Sequence, residues 1–422
     1  MRKNIITLFP VLLLYLSLIA LTSCSAKKSD KDLRNIDIAG ALGKGRIIPL
    51  SEIAKDIRYI PLETNDSSLV GKIYSLVYEN GLIYVVQSSG TISIFDENGK
   101  FVRKIDRQGN GPQEYLGIPP LDMLEIDKNN GNLIVLSLDS KIYEYTKIGA
   151  FVRRVQPPES VPSFFNRTLK IQDNLYISSF TLDKDTTAYC AVVYDSLSQI
   201  KKMIHKPSVN EDLKKINVST SNGFMQIGTH YLFTRVEDKI MIYSDKPTII
   251  SSLDMDLNLD TAFTINYGPY MLTPSNIQDM GSPDAKIINW IGYLKESKDY
   301  VYLWLNLRAL AHEPWEQVVK GPTGEDITRV NCISYGIFNK NTGEVTLMNR
   351  PLKEQIGFKE DFENGPAFWP KTVSSQEYLV VSYDALTLKD FVENNECSNK
   401  LKEVAAGIGE SDNPIVALVK LK

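Results

Sequence analysis

The sequence predicts an all-β fold: a six-bladed β-propeller with four antiparallel strands per blade and a ring closed by an N-terminal strand. Three observations predict it. Short β-rich runs recur at intervals of about 40 to 50 residues, the spacing of propeller blades. Turn residues separate these runs, and one strand-like run near the N-terminus has no partner close to it in the chain.

The first repeat shows the pattern most fully. Residues 81–86 and 91–95 are β-rich runs, and the turn Asp96–Gly99 leads into a third run at 100–105. An Asn-Gly pair between such runs is a strong hairpin signal, because glycine accepts a positive φ without steric cost. The segment therefore predicts consecutive antiparallel strands.

Later copies keep the same order of runs and turns. They cover residues 132–155, 174–204, 239–265, 300–347 and 378–419. The fifth repeat contains an insertion from about Arg308 to Arg329, and the sixth is incomplete. Two β-sandwiches or a parallel β-helix would also give many short strands, but the first lacks this long repeat and the second has shorter coils.

The need to bury the apolar faces of each blade predicts that the ring closes. A blade that is apolar on both faces is stable only when neighbours cover it, so a closed ring is favoured. The unassigned run Asp56–Leu62 can complete the last blade, and Pro61 suits an edge strand.

The N-terminus predicts export. Two basic residues precede an apolar run from 5 to 21, which ends in Leu-Thr-Ser-Cys24. This is the layout of a cleaved signal peptide, and its end is similar to the lipobox of bacterial lipoproteins. The similarity implies cleavage before Cys24 and acylation of that residue, which would anchor the chain in a membrane. An ordinary signal peptide with a chance cysteine is the alternative.

These features divide the chain into three parts. Residues 1–23 form the signal peptide, 24–50 a tether and lead-in, and 51–422 a single propeller domain. Loss of Arg2 and Lys3 with the signal lowers the formal charge from −4 to −6, which disfavours a nucleic-acid partner.

Cysteine and histidine usage gives no metal signature. Cys190, Cys332 and Cys397 remain after Cys24, so at most one disulfide can form. The three histidines are isolated, and no zinc-type spacing occurs. We therefore predict no cofactor and no metal.

One motif points to a family. The hairpin Phe95–Lys100 is followed by the loop Gly109–Tyr115, which reads Gly-Asn-Gly-Pro-Gln-Glu-Tyr. Both resemble the six-bladed β-propeller lipoproteins of Gram-negative bacteria (NHL/TolB-like propellers), as do the closing segments 363–370 and 412–414. The resemblance implies the fold and an outer-membrane lipoprotein on the periplasmic face or the cell surface. It adds little about chemistry, because propellers host many functions.

Two loops are candidate ligand sites. In propellers, ligands usually bind on the face where the outermost strand of one blade connects to the innermost strand of the next. Loops 109–115 and 365–370 occupy such connections, and both should border the mouth of the central channel. Among the predicted ligand-binding residues, Glu114 is a hydrogen-bond acceptor and Tyr115 an aromatic wall. Phe368 and Trp369 form a stacking surface for a sugar ring or peptide side chain. Alternatively, Glu114 satisfies backbone amides while the aromatics plug the channel.

No catalytic set is recognisable. The sequence has no Gly-x-Ser-x-Gly elbow, and Pro112 follows the Gly-x-Gly pair where a phosphate loop needs a helix. The insertion residues 312–315 are a candidate overhang of the ligand face, although a solvated loop is the simpler interpretation.

The leading functional hypothesis is a lipid-anchored binding or interaction module of the cell envelope, with a carbohydrate, peptide or envelope-protein partner at the channel mouth. The rival is a propeller enzyme, a lactonase-like hydrolase or carbohydrate lyase that uses channel carboxylates with or without calcium. A structural scaffold for an outer-membrane complex is a third possibility.

Overall fold

A computed structural model gives the fold of most of the chain and confirms the six-bladed β-propeller. The predicted signal peptide and Cys24 lie outside the described residues. The described residues are 29, 33–119, 124–159, 167–179, 188–207, 216–220, 223–227, 231–244, 246–273, 275–321 and 323–422.

The chain enters along the rim of the ring. The first elements are strand β1 (Asn35–Asp37), the short helix α1 (Ile38–Ala41), a 3₁₀ turn (Leu50–Glu52) and strand β2 (Ala54–Pro61). No blade is built from these elements alone, and each packs against a later blade.

The first three blades are four-stranded antiparallel sheets whose strands pair in chain order. Blade 1 contains β3 (Ile73–Glu79), β4 (Leu82–Gln87), β5 (Ile92–Asp96) and β6 (Phe101–Ile105). Blade 2 contains β7 (Leu124–Ile126), β8 (Leu133–Leu136), β9 (Ile142–Tyr145) and β10 (Phe151–Val155). Blade 3 contains β11 (Thr168–Gln172), β12 (Leu175–Ser179), β13 (Tyr189–Asp195) and β14 (Ile200–His205).

The later blades carry additions. A separate hairpin of β15 (Ile216–Thr220) and β16 (Gly223–Ile227) precedes blade 4. Blade 4 contains β17 (Tyr231–Val236), β18 (Lys239–Ser244), β19 (Ile249–Leu253) and β20 (Leu259–Asn266). The 3₁₀ turns Gly268–Tyr270 and Ile277–Gly281 lead to blade 5.

Blade 5 has a divided innermost strand, because β21 and β22 both pair with β23. Its elements are β21 (Asn289–Trp290), β22 (Lys295–Glu296), β23 (Tyr300–Asn306), a 3₁₀ turn (Arg308–Leu310), β24 (Trp315–Lys320), β25 (Asp326–Asn331), β26 (Ile333–Asn339) and β27 (Glu344–Leu347). Blade 6 contains β28 (Thr372–Val373), β29 (Tyr378–Tyr383), helices α2 (Ala385–Asn394) and α3 (Asn399–Ala406), and β30 (Ile415–Leu421).

The predicted ring closure is confirmed. Strand β2 pairs antiparallel with β30, from Ala54 opposite Leu421 to Pro61 opposite Ile415, and so becomes the outer strand of blade 6. Pro61 lies on that outer strand, where a missing N–H is tolerated.

The segment before β2 also belongs to the folded rim. Strand β1 adds a parallel fifth strand to blade 4 through β20. Arg46 and Pro49 then form bridges to Met348 and Lys359 as the chain passes blade 5. Much of the predicted lead-in therefore follows the outside of blades 4 and 5.

The predicted hairpin turn in blade 1 has the expected geometry. Gly99 has a φ of +81°. The carboxylate of Asp96 accepts hydrogen bonds from the N–H groups of Asn98 and Lys100 at 2.8 and 2.9 Å. The side chain of Asp96 thus holds the turn that the sequence motif indicated.

The core lies between blades, and the two-residue period of each strand creates it. On β4, Ile83 and Val85 pack with Val416 of blade 6, whereas Tyr84 and Val86 pack against blade 2. Burial of such a side chain stabilises the fold by about 1.5–3 kcal/mol. Both faces of a blade are therefore apolar, and each depends on its neighbour.

The three described cysteines, Cys190, Cys332 and Cys397, are buried and unpaired with each other. Burial raises the pKa of the Cys190 thiol to about 12. Within the described ranges, no helix is both long enough and apolar enough to cross a bilayer.

Candidate functional site

Two insertions extend from the same face of the ring. The hairpin β24–β25 connects the second and third strands of blade 5, and helices α2 and α3 connect those of blade 6. Since neighbouring strands alternate in direction, this face also carries the connections that lead from one blade to the next. The loop before β28 therefore lies on the same face as both insertions.

An open groove of about 750 Å³ lies between these insertions. This volume falls within the range of about 300–1,000 Å³ that is typical of small-molecule sites. Its walls contain the apolar residues Trp304, Trp315, Ile333, Tyr335, Ile356, Pro366, Ala367, Tyr383 and Phe391. Its polar residues are Asn331, Gln355, Thr387 and Asp390.

The floor of this aromatic groove is Tyr335, and other rings stack behind it. The rings of Tyr335 and Trp369 are parallel within 5°, with centroids 4.1 Å apart, and Phe358 lies behind Trp369 at 6.1 Å. Trp304 meets Tyr335 edge to face at 6.2 Å. Such packing fixes each ring, so the groove is largely preformed. Burial raises the pKa of Tyr335 to about 12, and its hydroxyl stays protonated at neutral pH.

The strand period places Trp304 at this site. On β23, Val301, Leu303 and Leu305 enter the core between blades 4 and 5. Tyr302 points the other way, into the core between blades 5 and 6. Trp304 has the same parity as Tyr302, so it faces blade 6 and reaches the groove.

The two predicted ligand residues in the loop before β28 differ in how deeply they are buried. Phe368 is fully buried, and its backbone exchanges hydrogen bonds with Phe358 at 2.8 and 3.0 Å. Trp369 is half-buried and forms part of the stack. Neither residue is among the described residues that line the groove, and ligand binding by Phe368 and Trp369 stays a prediction.

A buried carboxylate shapes the start of this loop. Glu360 accepts hydrogen bonds from the N–H groups of Phe362 and Glu363 at 2.8 and 2.9 Å, and from Gly365 at 2.6 Å. The hydroxyl of Tyr59 donates to it at 3.2 Å. A Cβ atom at Gly365 would lie 2.1 Å from that hydroxyl, so only glycine fits there without displacement.

The loop between blades 1 and 2 has a similar internal contact. Glu114 accepts a hydrogen bond from the N–H of Gly111 at 2.9 Å, and a Cβ at Gly109 would lie 2.0 Å from the same carboxylate. Tyr115 is fully buried and donates to the carbonyl of Gly90 at 2.7 Å. This geometry agrees with the structural alternative for the motif. Ligand binding by Glu114 and Tyr115 stays a prediction.

The structure does not bring the two predicted pairs together. Glu114 and Tyr115 lie between blades 1 and 2, whereas Phe368 and Trp369 lie between blades 5 and 6. The central channel is a separate cavity of about 200 Å³, lined by inner-strand residues of all six blades. None of the four residues is among the described residues that line it, although Lys371, two positions after Trp369, does.

The insertion in blade 5 does reach the groove. Trp315 lines it, and the guanidinium of Arg350 lies over the Trp315 ring at 5.2 Å from its centroid. The N–H of Arg350 donates to the carboxylate of Glu313 at 2.6 Å. These contacts hold the base of the hairpin beside the groove.

Three polar groups in or behind the groove walls have no hydrogen-bond partner among the described residues. The indole N–H groups of Trp304 and Trp369 and the hydroxyl of Tyr383 are buried without a partner among the described residues. Burial and the nearby Glu360 carboxylate raise the pKa of Tyr383, so this hydroxyl remains a donor. Over the same part of the chain, no group of three or more His, Cys, Asp or Glu side chains is arranged to hold a metal ion.

Comparison with known proteins supports the fold. One similar structure is that of a Bacteroides fragilis protein for which export has been proposed. It has 18% identity and a TM-score of 0.64, and the alignment covers 92% of this chain and 99% of that chain. A DUF4221 family member from Bacteroides vulgatus has 13% identity and a TM-score of 0.45, with 87% and 97% covered. At such identities the likeness concerns the fold alone, and the second is too distant to carry an argument.

A search of curated proteins gives no match. The family model described as a domain of unknown function, DUF4934, matches residues 33–420, which include every blade. The chain therefore belongs to the DUF4934 family.

Proposed function

We propose that this chain is a lipid-anchored binding module of the cell envelope that takes a carbohydrate chain in the aromatic groove. The observation that carries the proposal is a groove of about 750 Å³ whose walls contain Trp304, Trp315 and Tyr335, with the Tyr335 ring backed by Trp369. Tyr335 and Trp369 also pack against the core between blades 5 and 6, which holds this aromatic surface in place.

Sugar chemistry matches both parts of the groove. A pyranose ring presents a face of C–H groups, which packs well on an aromatic ring, and a rim of hydroxyls that need hydrogen-bond partners. The aromatic floor meets the first need. Asn331, Gln355, Thr387 and Asp390 supply donors and acceptors for the second. A peptide with an aromatic or aliphatic side chain is the competing ligand.

The anchor is proposed from the N-terminal sequence and is compatible with the fold. Cys24 would carry the acyl chains, and the first described strand, β1, lies on the outer rim of blade 4. An attachment at the rim leaves the groove-bearing face open to ligand. The description of the Bacteroides fragilis relative as exported supports an envelope location, and we extend this to an outer-membrane lipoprotein.

Tryptophan fluorescence tests the ligand proposal directly, because Trp304 and Trp315 line the groove and Trp369 stacks on Tyr335 behind it. The full-length protein in detergent is titrated with neutral and acidic oligosaccharides and with short peptides. We expect a saturable change with an oligosaccharide and roughly tenfold weaker binding by Trp315→Ala. The control Trp290→Phe changes a tryptophan in the core between blades 4 and 5 and should keep wild-type affinity. Preference for peptides, or equal affinity in Trp315→Ala, would contradict the proposal.

Metabolic labelling tests the anchor separately. Wild-type protein should incorporate a labelled fatty acid and sediment with membranes, whereas Cys24→Ser should lose both properties. Membrane association that persists in Cys24→Ser would mean that another part of the chain holds it there.

A further inference from the structure

Basic residues line one mouth of the central channel, and both acidic and basic residues line the other. The innermost strands all run in the same direction, so their first residues meet at the groove-bearing mouth and their last residues at the opposite one. Arg167 and Lys371 precede innermost strands and line the cavity near the first mouth. Glu79, Glu296 and Glu377 follow or end innermost strands and line it near the second. These carboxylates come from blades 1, 5 and 6, which are neighbours in the ring.

Internal ion pairs occupy the other side of the channel. The guanidinium of Arg235 donates to the carboxylate of Glu125 at 2.9 Å and to the carbonyl of Lys170. The ammonium of Lys170 pairs with Asp127 at 2.6 Å. Blades 2, 3 and 4 are thereby joined across their inner strands, and Glu237 of blade 4 adds a further carboxylate to the channel lining.

Glu296 has an unused acceptor. Its side chain is only 5% exposed, and one carboxylate oxygen pairs with the ammonium of Lys340 at 2.8 Å. Its other oxygen is buried and has no hydrogen-bond partner among the described residues. Burial raises the pKa of Glu296, so a cationic ligand with N–H donors beside this carboxyl would stabilise its ionised form.

Glu377 extends this acceptor surface. Its two oxygens share the N–H of Lys298, each at 3.2 Å, which leaves lone pairs on both. The nearby cations are otherwise engaged: the ammonium of Lys128 donates to the carbonyl of Glu237 at 3.3 Å, and that of Lys295 lies 5.7 Å from the Trp304 ring centroid. Glu79 receives hydrogen bonds from the hydroxyl and N–H of Ser375.

We propose that the channel binds a small primary alkylammonium ion, held by the carboxylates of Glu296 and Glu377. An ammonium group carries a positive charge and three N–H donors, which suit the unused acceptor oxygens of the two carboxylates. A cavity of about 200 Å³ admits an aliphatic amine but not an oligosaccharide. This site is independent of the aromatic groove and of the ligand proposed there.

Titration calorimetry with n-pentylammonium chloride on the full-length protein tests the site at constant ionic strength. Tetramethylammonium supplies the charge without N–H donors, pentanoate reverses the charge, and calcium chloride tests a simple cation. We expect saturable binding of n-pentylammonium and roughly tenfold weaker binding, or none, for the other three. Equal binding of any of the three, or no binding of n-pentylammonium, would overturn the proposal.

Two variants locate the bound amine. Glu296→Gln and Glu377→Gln should each weaken n-pentylammonium binding roughly tenfold, since each removes one negative charge. Glu377 lies in a turn, so Glu377→Gln keeps the test valid even where Glu296→Gln fails to fold. The matched control Glu316→Gln changes an exposed residue of β24 and should bind like wild type. Unchanged affinity in Glu377→Gln would overturn the proposal.

Discussion

Blades 1 and 2 connect their second and third strands through short turns, whereas blades 5 and 6 place long insertions at the same point. Residues 88–91 and 137–141 make these turns in blades 1 and 2. The equivalent connections span residues 307–332 in blade 5 and 384–414 in blade 6. All four blades nevertheless pack by the same alternation of apolar residues on both faces.

This difference between the blades helps to separate the residues that close the ring from those that form the groove. Blades 1 and 2 pack with four strands and short turns, so the exposed hairpin β24–β25 of blade 5 is not needed for closure. The blade 6 insertion does both: α2 and α3 bury Leu388 and Leu401 in the core, and α2 also lines the aromatic groove. Substitutions at blade seams should therefore change stability, and substitutions in the hairpin β24–β25 should change binding.

Leu418→Ala should have the largest effect on stability. Leu418 is fully buried at the seam where blade 6 meets blade 1, and such a truncation costs about 2–5 kcal/mol in the free energy of unfolding. Urea denaturation measures it. The control Val318→Ala, on the exposed hairpin, should change that free energy by less than about 0.5 kcal/mol. Similar losses in both variants would refute the division between seam and insertion.

Glu144→Gln should cost about 3 kcal/mol at neutral pH. Burial raises the pKa of Glu144, but hydrogen bonds from Asn132 and Arg153 and the charge of Lys170 lower it overall. The ionised form therefore stabilises the fold above the ordinary carboxyl pKa, and this stabilisation is lost as pH falls through the lowered folded value. Denaturation at several pH values should show the wild type converging on the variant in acid. A pH-independent gap would contradict this assignment.

Gly365→Ala should cost about 2 kcal/mol, because the new methyl group would collide with the Tyr59 hydroxyl and the Glu360 carboxylate. Thermal denaturation is a suitable measurement. The control Gly71→Ala adds a methyl group where the nearest atom is 3.5 Å away, and it should be close to neutral. If Gly365→Ala were equally neutral, the tight turn before Trp369 would be less constrained than its hydrogen bonds indicate.

Glu114→Ala should have the smallest effect, about 1 kcal/mol, through loss of the bond from Gly111. We expect oligosaccharide affinity to stay within about twofold of wild type, since the loop lies two blades away from blade 5. The control Gln113→Ala alters an exposed neighbour. A large loss of affinity in Glu114→Ala with normal stability would restore this residue as a ligand contact.

The ring was predictable because its determinants are local. The Asp96–Gly99 turn, the continuous apolar run of β4 and the strand-like run of β2 are each legible within a few residues. The insertion in blade 5 was also visible, as a gap between two strong strand runs.

The groove was predictable only in part. Trp369 and Trp315 were recognised in their segments, but Trp304, Tyr335 and Phe391 were not, because each sits in an ordinary strand or helix pattern. Their meeting depends on the packing of blade 5 against blade 6 and on helix α2, which no local pattern encodes. Conversely, the Gly-x-Gly-Pro-x-Glu-Tyr motif was prominent in sequence, yet its conformation is explained by contacts within its own loop.

Replacement of the blade 5 insertion tests the central claim most directly. In the full-length protein, residues 308–331 are exchanged for a four-residue turn like that of residues 88–91, which keeps the buried Leu307 and Cys332, and both unfolding and oligosaccharide affinity are measured. We predict a folded ring whose free energy of unfolding falls by no more than about 1–2 kcal/mol, with oligosaccharide binding abolished. A ring that fails to fold, or one that still binds with wild-type affinity, would contradict the account.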